Sequence, residues 1–321
     1  MDSLMDRKYL VPVLTAMPVL ALVYRLSSKS KYPLPPGLPR VPLFGNAFNF
    51  PQNRWYEAFS AWVKEKLYDT SGQLKPNGKD NWDLMYFNVL GNDLVLISNL
   101  DLAKALLEKR SNSFRPNDIM NYHVMGWDWN VVLAPPGQFH TDCRTIFKRG
   151  IGQVEVAQFE HVIEEEAKLL LEQLKELRGD PWTVFQPRVG AVVIRVTYGD
   201  SVYKQHGKEL SDLNHETLDL VTGVSIQFWL VNFIPSLRYL PDWLPLAFKK
   251  VGKRGMDLQR RMHFWPWEVT MRHFKEGIAQ PSIALEYLEA NQDLNLVRDA
   301  LGMMYSAGTD NVRFWNFIFR G

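Results

Sequence analysis

At 321 residues with 46% hydrophobic content, the chain is long enough to bury a large core, as one big domain or two small ones, and too apolar to be disordered. Its formal charge of +2, with Lys and Arg spread along the chain, supplies no basic field and argues against a nucleic-acid partner. The single cysteine, Cys143, excludes an intrachain disulfide and CxxC metal sites, and favours a reducing compartment.

In chain order, the first element is "YLVPVLTAMPVLALVY", sixteen uncharged residues between Lys8 and Arg25, against the about 20 that cross a bilayer unaided. It reads as a membrane anchor over residues 1–26 or as a cleaved secretory signal. The single cysteine favours the anchor. So does the heavier positive flank (Arg25, Lys29, Lys31, Arg40), which leaves the body of the protein on the cytosolic side. A buried core helix fits poorly because Pro12 and Pro18 would each break its ladder.

Residues 27–46 follow as a strut, with five prolines between Pro33 and Pro42 holding the backbone extended. Beyond it lies the main domain, residues 47–321. Trp55, Phe59, Trp62, Val63 and Leu67 share one helical face. "DLMYFNVLG" and "NDLVLISN" alternate as strands that meet at Gly91-Asn92, a hairpin signal. Helical segments are predicted over "LDLAKALLEKRSN", 154–177, 187–198, 208–221, 256–275 and 281 to about 319. The expected fold is mainly α with a small N-terminal antiparallel β-sheet.

Two aromatic stretches could line a pocket for a hydrophobic ligand: "IMNYHVMGWDWNVVL", with Trp127 and Trp129, and "VSIQFWLVNFIP", with Phe228 and Trp229. Ordinary core packing is the competing reading for each. "YLPDWLPLAFKK" combines Trp243 and leucines with nearby lysines, a composition suited to a membrane interface.

The ordered series of proline strut, helix, "YFNVLGNDLVLISNLDLAKALLEKRS", Trp-rich loop, "PPGQFHTDCRTIF", "LRYLPDWLPLAFKK" and "SAGTD" resembles the front half of a microsomal cytochrome P-450 of fungal type, from Pro33 to Asp310. The resemblance implies a truncated cytochrome P-450-like fold, haem as cofactor, and oxygen insertion into a lipophilic small molecule. It also implies electrons from an NADPH-dependent reductase and residence in the endoplasmic reticulum membrane on a single-pass anchor.

Residue by residue, Ala307, Gly308 and Asp310 match the step in the helix that crosses the haem. There Asp310 is a proton-delivery group by resemblance and a surface acid by the bland reading. Asn311 stands where the family has a threonine, and its amide is a poorer proton relay. Arg144 takes the position of an Arg that holds a haem propionate, and His140 replaces the family's Trp four residues earlier. A solvated helix face is the alternative for both. Cys143 matches no thiolate motif and reads as a packing residue.

The family's F-x-x-G-x-R-x-C-x-G loop and Glu-x-x-Arg motif occur nowhere in the 321 residues, and Arg313 is out of place in a buried helix. The expectation is a monooxygenase fragment, inactive as written and ending in a truncated or misread gene model. The alternative is a haem-free, membrane-tethered binding protein on the remnant fold. A hydrolase is disfavoured by the absence of a nucleophile elbow, HExxH and P-loop.

Overall fold

The computed structural model describes residues 33–42, 44–51, 55–67, 83–110, 118–225, 227–290 and 292–319. Residues 1–26, read above as an anchor, lie outside them. Among the described residues no helix is long and apolar enough to cross a membrane. The described residues are mainly helical with one two-stranded antiparallel sheet, as the periodicities predicted, and they gather into two compact units.

The first unit runs through residue 110 and adds residues 227–235. Helix α1 (Trp55–Leu67) precedes a hairpin of β1 (Leu84–Val89) and β2 (Asn92–Ile97), paired from Leu84↔Ile97 to Val89↔Asn92, and α2 (Leu100–Leu107) follows. The turn is Leu90-Gly91, one residue earlier than Gly91-Asn92. Both residues have positive φ (51° and 80°), as a two-residue turn matched to the strand twist requires. Asn92 is instead the first strand residue, and its Nδ2 donates to the Val89 carbonyl (3.1 Å) and the Phe233 carbonyl (2.9 Å).

The proline-rich stretch lies along this hairpin. The Tyr86 amide donates to the Pro36 carbonyl (2.8 Å), and Gly37 bridges Tyr86 so closely that any Cβ would collide with the Tyr86 carbonyl. Buried Asn46 closes the arrangement: its Oδ1 accepts from the Asn88 amide (3.0 Å) while its Nδ2 donates to the Pro39 carbonyl (3.1 Å). Phe50, Phe87, Phe228 and Phe233 form an aromatic core with α1, with Phe228 and Phe233 stacked at 4.7 Å.

The second unit holds α3 (Gln138–Ile151), α4 (Glu160–Glu176), α5 (Trp182–Tyr198), α6 (Asp200–Ser225), α7 (Ala247–Lys275), α8 (Ile283–Glu289) and α9 (Leu294–Phe319). Helix α9 is central, packing on α5 and also on α3, α6 and α7. Val297 and Leu301 are buried as predicted, Leu294 and Met304 half-buried, and Tyr305 and Thr309 continue the buried stripe.

Several helix bounds differ from the sequence reading, and four of the differences have a clear local reason. α5 begins at Trp182 rather than Pro187, because Asp180 Oδ1 accepts from the Trp182 amide (3.1 Å) and Pro181 suits the first turn; Pro187 is carried inside. α6 begins at Asp200, directly after the corner at Gly199 (φ 98°). α7 begins at Ala247 rather than residue 256. Gly252 and Gly255, which weaken the helical signal, are the points where Val124 and Met125 press against the helix, and a Cβ on either would collide with them. The run expected over 281–319 is two helices, α8 ending at Glu289 and α9 starting at Leu294, where Asp293 Oδ1 accepts from the Asn295 amide (3.0 Å).

Candidate functional site

Helix α9 carries the small-residue step. Ala307 and Gly308 are half-buried, and a Cβ on Gly308 would come within 2.9 Å of Val193 on α5. The neighbouring hydroxyls tie the same turn to α6. Tyr305 Oη donates to the Leu210 carbonyl (2.5 Å), and Thr309 Oγ1 donates to the Tyr305 carbonyl (2.6 Å). Fully buried Asn214 donates to Thr309 Oγ1 and to the Ser306 carbonyl (3.3 Å). Asn214 was not singled out in the sequence, where it is one polar residue in the long α6 pattern. The backbones of Asp310 and Asn311 continue α9, and their side chains lie outside the described residues.

On α3, Cys143, Ile146 and Gly150 face inward. The last is a glycine because Ile283 of α8 occupies the space a Cβ would take. Arg144 is exposed, with no hydrogen-bond or ion-pair partner among the described residues, and His140 is half-buried one turn before it. Cys143 is 1% exposed. Burial, and then the negative charges of Asp299 and Asp142, push its thiol up to about 11.

Trp127 and Trp129 are both buried and stack on each other at 5.3 Å. Trp129 continues the stack onto His263 of α7, with ring centroids 3.8 Å apart and planes 5° from parallel, and its Nε1 donates to Gln259 Oε1 (2.8 Å). His263 Nε2 lies 2.9 Å from Asp299 Oδ1 on α9, and Arg298 Nη2 lies 2.8 Å from the same oxygen. Burial lowers the His263 pKa despite the opposing pull of Asp299, so the ring is neutral at pH 7. These groups line a cavity of about 640 Å³. His263, Gln259 and Asp299 were invisible as a group in the sequence, because they become neighbours only when α7 crosses α9. Phe228 and Trp229 belong to the other unit, so the four aromatic pocket candidates do not form one described cluster.

A family model described as Cytochrome P450 matches residues 35–263. The chain belongs to the cytochrome P450 family. Among its P450 relatives, Cytochrome P450 monooxygenase 208 of Postia placenta is 26% identical over 300 residues, covering 91% of this chain and 56% of that protein. Cytochrome P450 monooxygenase ple1 of Rhodocybe pseudopiperita is 26% identical over 321 residues (94% and 57%). Tryptamine 4-monooxygenase of Psilocybe cyanescens is 30% identical over 267 residues (80% and 49%). The chain thus spans about half the length of these P450 monooxygenases. The family implies a haem cofactor. Among the described residues, Arg144 offers an uncommitted guanidinium one turn after His140, and the Cys143 thiol is buried and protonated.

Proposed function

We propose that the chain is the N-terminal portion of a haem-dependent monooxygenase acting on a lipophilic small molecule with electrons from an NADPH-dependent reductase. The observation that carries this reading is the uncommitted Arg144 on α3, a helix packed against α9, within a chain of this family. When bound, haem of this family supplies oxygen activation. The chain's own residues would do the rest. Arg144 and His140 would hold a propionate by charge and hydrogen bonding. Ala307 would keep side-chain bulk away from the haem face of α9, Gly308 lets α5 approach the same turn, and Asp310 with Asn311 would handle protons there. Within the second unit, Trp127 and Trp129 would contribute an apolar wall. Within these 321 residues the single thiol, Cys143, is buried and protonated, so on this reading the iron ligand is not Cys143. The buried Cys143 equally supports the second reading, a haem-free, membrane-tethered binding protein on the same fold.

The test of the propionate role is a fusion of residues 1–310 to the remaining part of a relative such as monooxygenase 208. Arg144→Ala should lower haem occupancy several-fold, because a buried carboxylate loses its charged partner, and His140→Ala should lower it less. Equal occupancy in the parent and the Arg144 variant would refute the role.

The same proposal places the protein on the endoplasmic reticulum membrane with its body in the cytosol, held by residues 1–26. Tyr239 and Trp243, exposed by 73% and 78% beside Lys250 and Lys253, would form a secondary contact with the bilayer surface. Deleting residues 1–26 is expected to move the protein out of the carbonate-resistant membrane fraction, with weak residual binding that Trp243→Ser removes. Undiminished membrane retention after the deletion would show that the anchor lies elsewhere.

A further inference from the structure

A second cavity, of about 950 Å³, lies where the segment from Arg238 to Leu246 and the first turns of α7 meet His123 and Val124. Its charge is one-sided. The wall carries Arg238, Lys249, Lys250 and Lys253 against a single carboxylate, Asp242. Asp242 is already answered: its Oδ1 accepts from Lys249 Nζ (2.9 Å), which also donates to the Arg238 carbonyl (2.9 Å), and Lys253 adds only a longer-range pull. Lys250 and Lys253 are exposed, lie three residues apart on one side of α7, and have no hydrogen-bond or ion-pair partner among the described residues. Arg238 lies over the Tyr239 ring (4.7 Å) and donates from Nη2 to Tyr239 Oη (2.5 Å), and no carboxylate among the described residues takes its charge. His123 adds no negative charge, since desolvation and then the Arg238 charge lower its pKa against a smaller pull from Asp128, and the ring is neutral at pH 7. Arg254, the next basic residue along α7, is by contrast paired with Glu216 of α6 (2.9 Å). The first turn of α7 also holds no acid, so its lysines add to the positive end of the helix dipole instead of offsetting it.

Apolar side chains share the wall: Val124, Leu246 and Met256 line the cavity, and so does Trp243. Its volume falls within the range that holds small organic ligands. We propose that this cavity binds an amphipathic organic anion, an acid group on a hydrocarbon body, with the acid among Lys250, Lys253 and Arg238 and the hydrocarbon on Val124, Leu246 and Met256. Cations without a carboxylate beside low-dielectric surface concentrate a positive potential, and charge-assisted hydrogen bonds to an anion relieve their mutual repulsion. A neutral molecule of the same shape leaves that repulsion in place, and an ammonium ion adds to it. The ligand is a free molecule filling the cavity, distinct from the bilayer surface assigned to Tyr239 and Trp243. The proposal rests on neither the haem reading nor the anchor, so the Arg144 and deletion experiments can fail without touching it.

Isothermal titration of the intact chain at pH 7 with octanoate, 1-octanol and octylammonium, which share a hydrocarbon chain and differ in charge, tests the proposal. Octanoate should bind at least about tenfold more tightly than octanol, and octylammonium most weakly. The double variant Lys250→Gln/Lys253→Gln, at exposed positions, should lose most of the octanoate advantage. A control with the same change in net charge, Lys168→Gln/Lys208→Gln on the exposed faces of α4 and α6, should keep it. Co-sedimentation with phosphatidylcholine vesicles, with and without phosphatidylserine, separates a free anion from a lipid headgroup. If the lysine pair is needed for the phosphatidylserine vesicles while octanoate binds no better than octanol, the basic wall serves the bilayer and the proposal fails. Full octanoate affinity in the Lys250/Lys253 variant, an equal loss in the control, or no octanoate binding at millimolar concentration by a folded chain would each overturn it as well.

Discussion

Supplied with haem, reduced and exposed to carbon monoxide, the 321-residue chain is expected to show no absorption band of the thiolate-ligated type. Such a band needs a cysteine sulfur that is both deprotonated and able to reach iron, and Cys143 is the chain's single cysteine. With its thiol pushed up to about 11, chiefly by burial, Cys143 is protonated at pH 7. Bringing the sulfur outward would turn α3 over, exposing Ile146 and separating Gly150 from Ile283. Cys143→Ser should therefore leave every haem spectrum of the chain unchanged. A thiolate-type band from the parent chain that disappears in Cys143→Ser would refute both the inactivity and the placement of α3.

Arg195→Ala is expected to destabilise the second unit by about 3–5 kcal/mol in urea unfolding at pH 7, the range for removing one partner of a buried ion pair. Arg195 of α5 is nearly buried and gathers three carboxylates: Glu166 of α4 (2.9 Å), Glu165 (2.6 Å) and Asp200 at the start of α6. Without it, Glu166, 3% exposed, keeps only Arg188 (2.9 Å) against the cost of burying its charge. The network also predicts a pH dependence. Burial alone would raise the Asp200 pKa, but its hydrogen bond and charge pairing with Arg195 outweigh that and leave it lowered. A carboxylate whose folded pKa lies below its unfolded value stabilises above the unfolded value, near 3.8, and loses that contribution as pH falls through the folded value. The parent chain should therefore lose stability in that acid window, and Arg195→Ala should show a shallower loss there because less remains to be protonated. A midpoint change equivalent to less than about 1 kcal/mol at pH 7 would mean the buried charges are solvated by other means.

Much of the architecture was legible because it depends on local pattern. The alternation on either side of Gly91, the apolar face from Trp55 to Leu67 and the spacing of Val297 and Leu301 each record which face of an element is turned inward, and a strand or helix period states that directly. The errors arose where a residue served a distant neighbour. Gly252 and Gly255 resemble a helix break but are the places where Val124 and Met125 approach α7. Pro187 resembles a start but is tolerated inside a helix begun by Asp180 and Pro181. The prolines of the strut were legible as such, while its attachment to β1 through Gly37 and Asn46 depends on pairing across the fold that local pattern does not encode.

The candidate site divides in the same way. By itself the sequence determined the family, the mainly helical fold, the inward position of Cys143 and the small-residue step at Ala307 and Gly308, because chain order, helical period and side-chain size are one-dimensional properties. Only the tertiary structure decided that Asn214 secures that step from α6, that Arg195 joins α4, α5 and α6 through buried charge, and that Trp129, His263 and Asp299 meet in one cavity. Hydrogen bonds and ion pairs act over about 3 Å and are indifferent to sequence separation, so partners 130 residues apart, such as Trp129 and Gln259, leave no signal until the helices that carry them are packed.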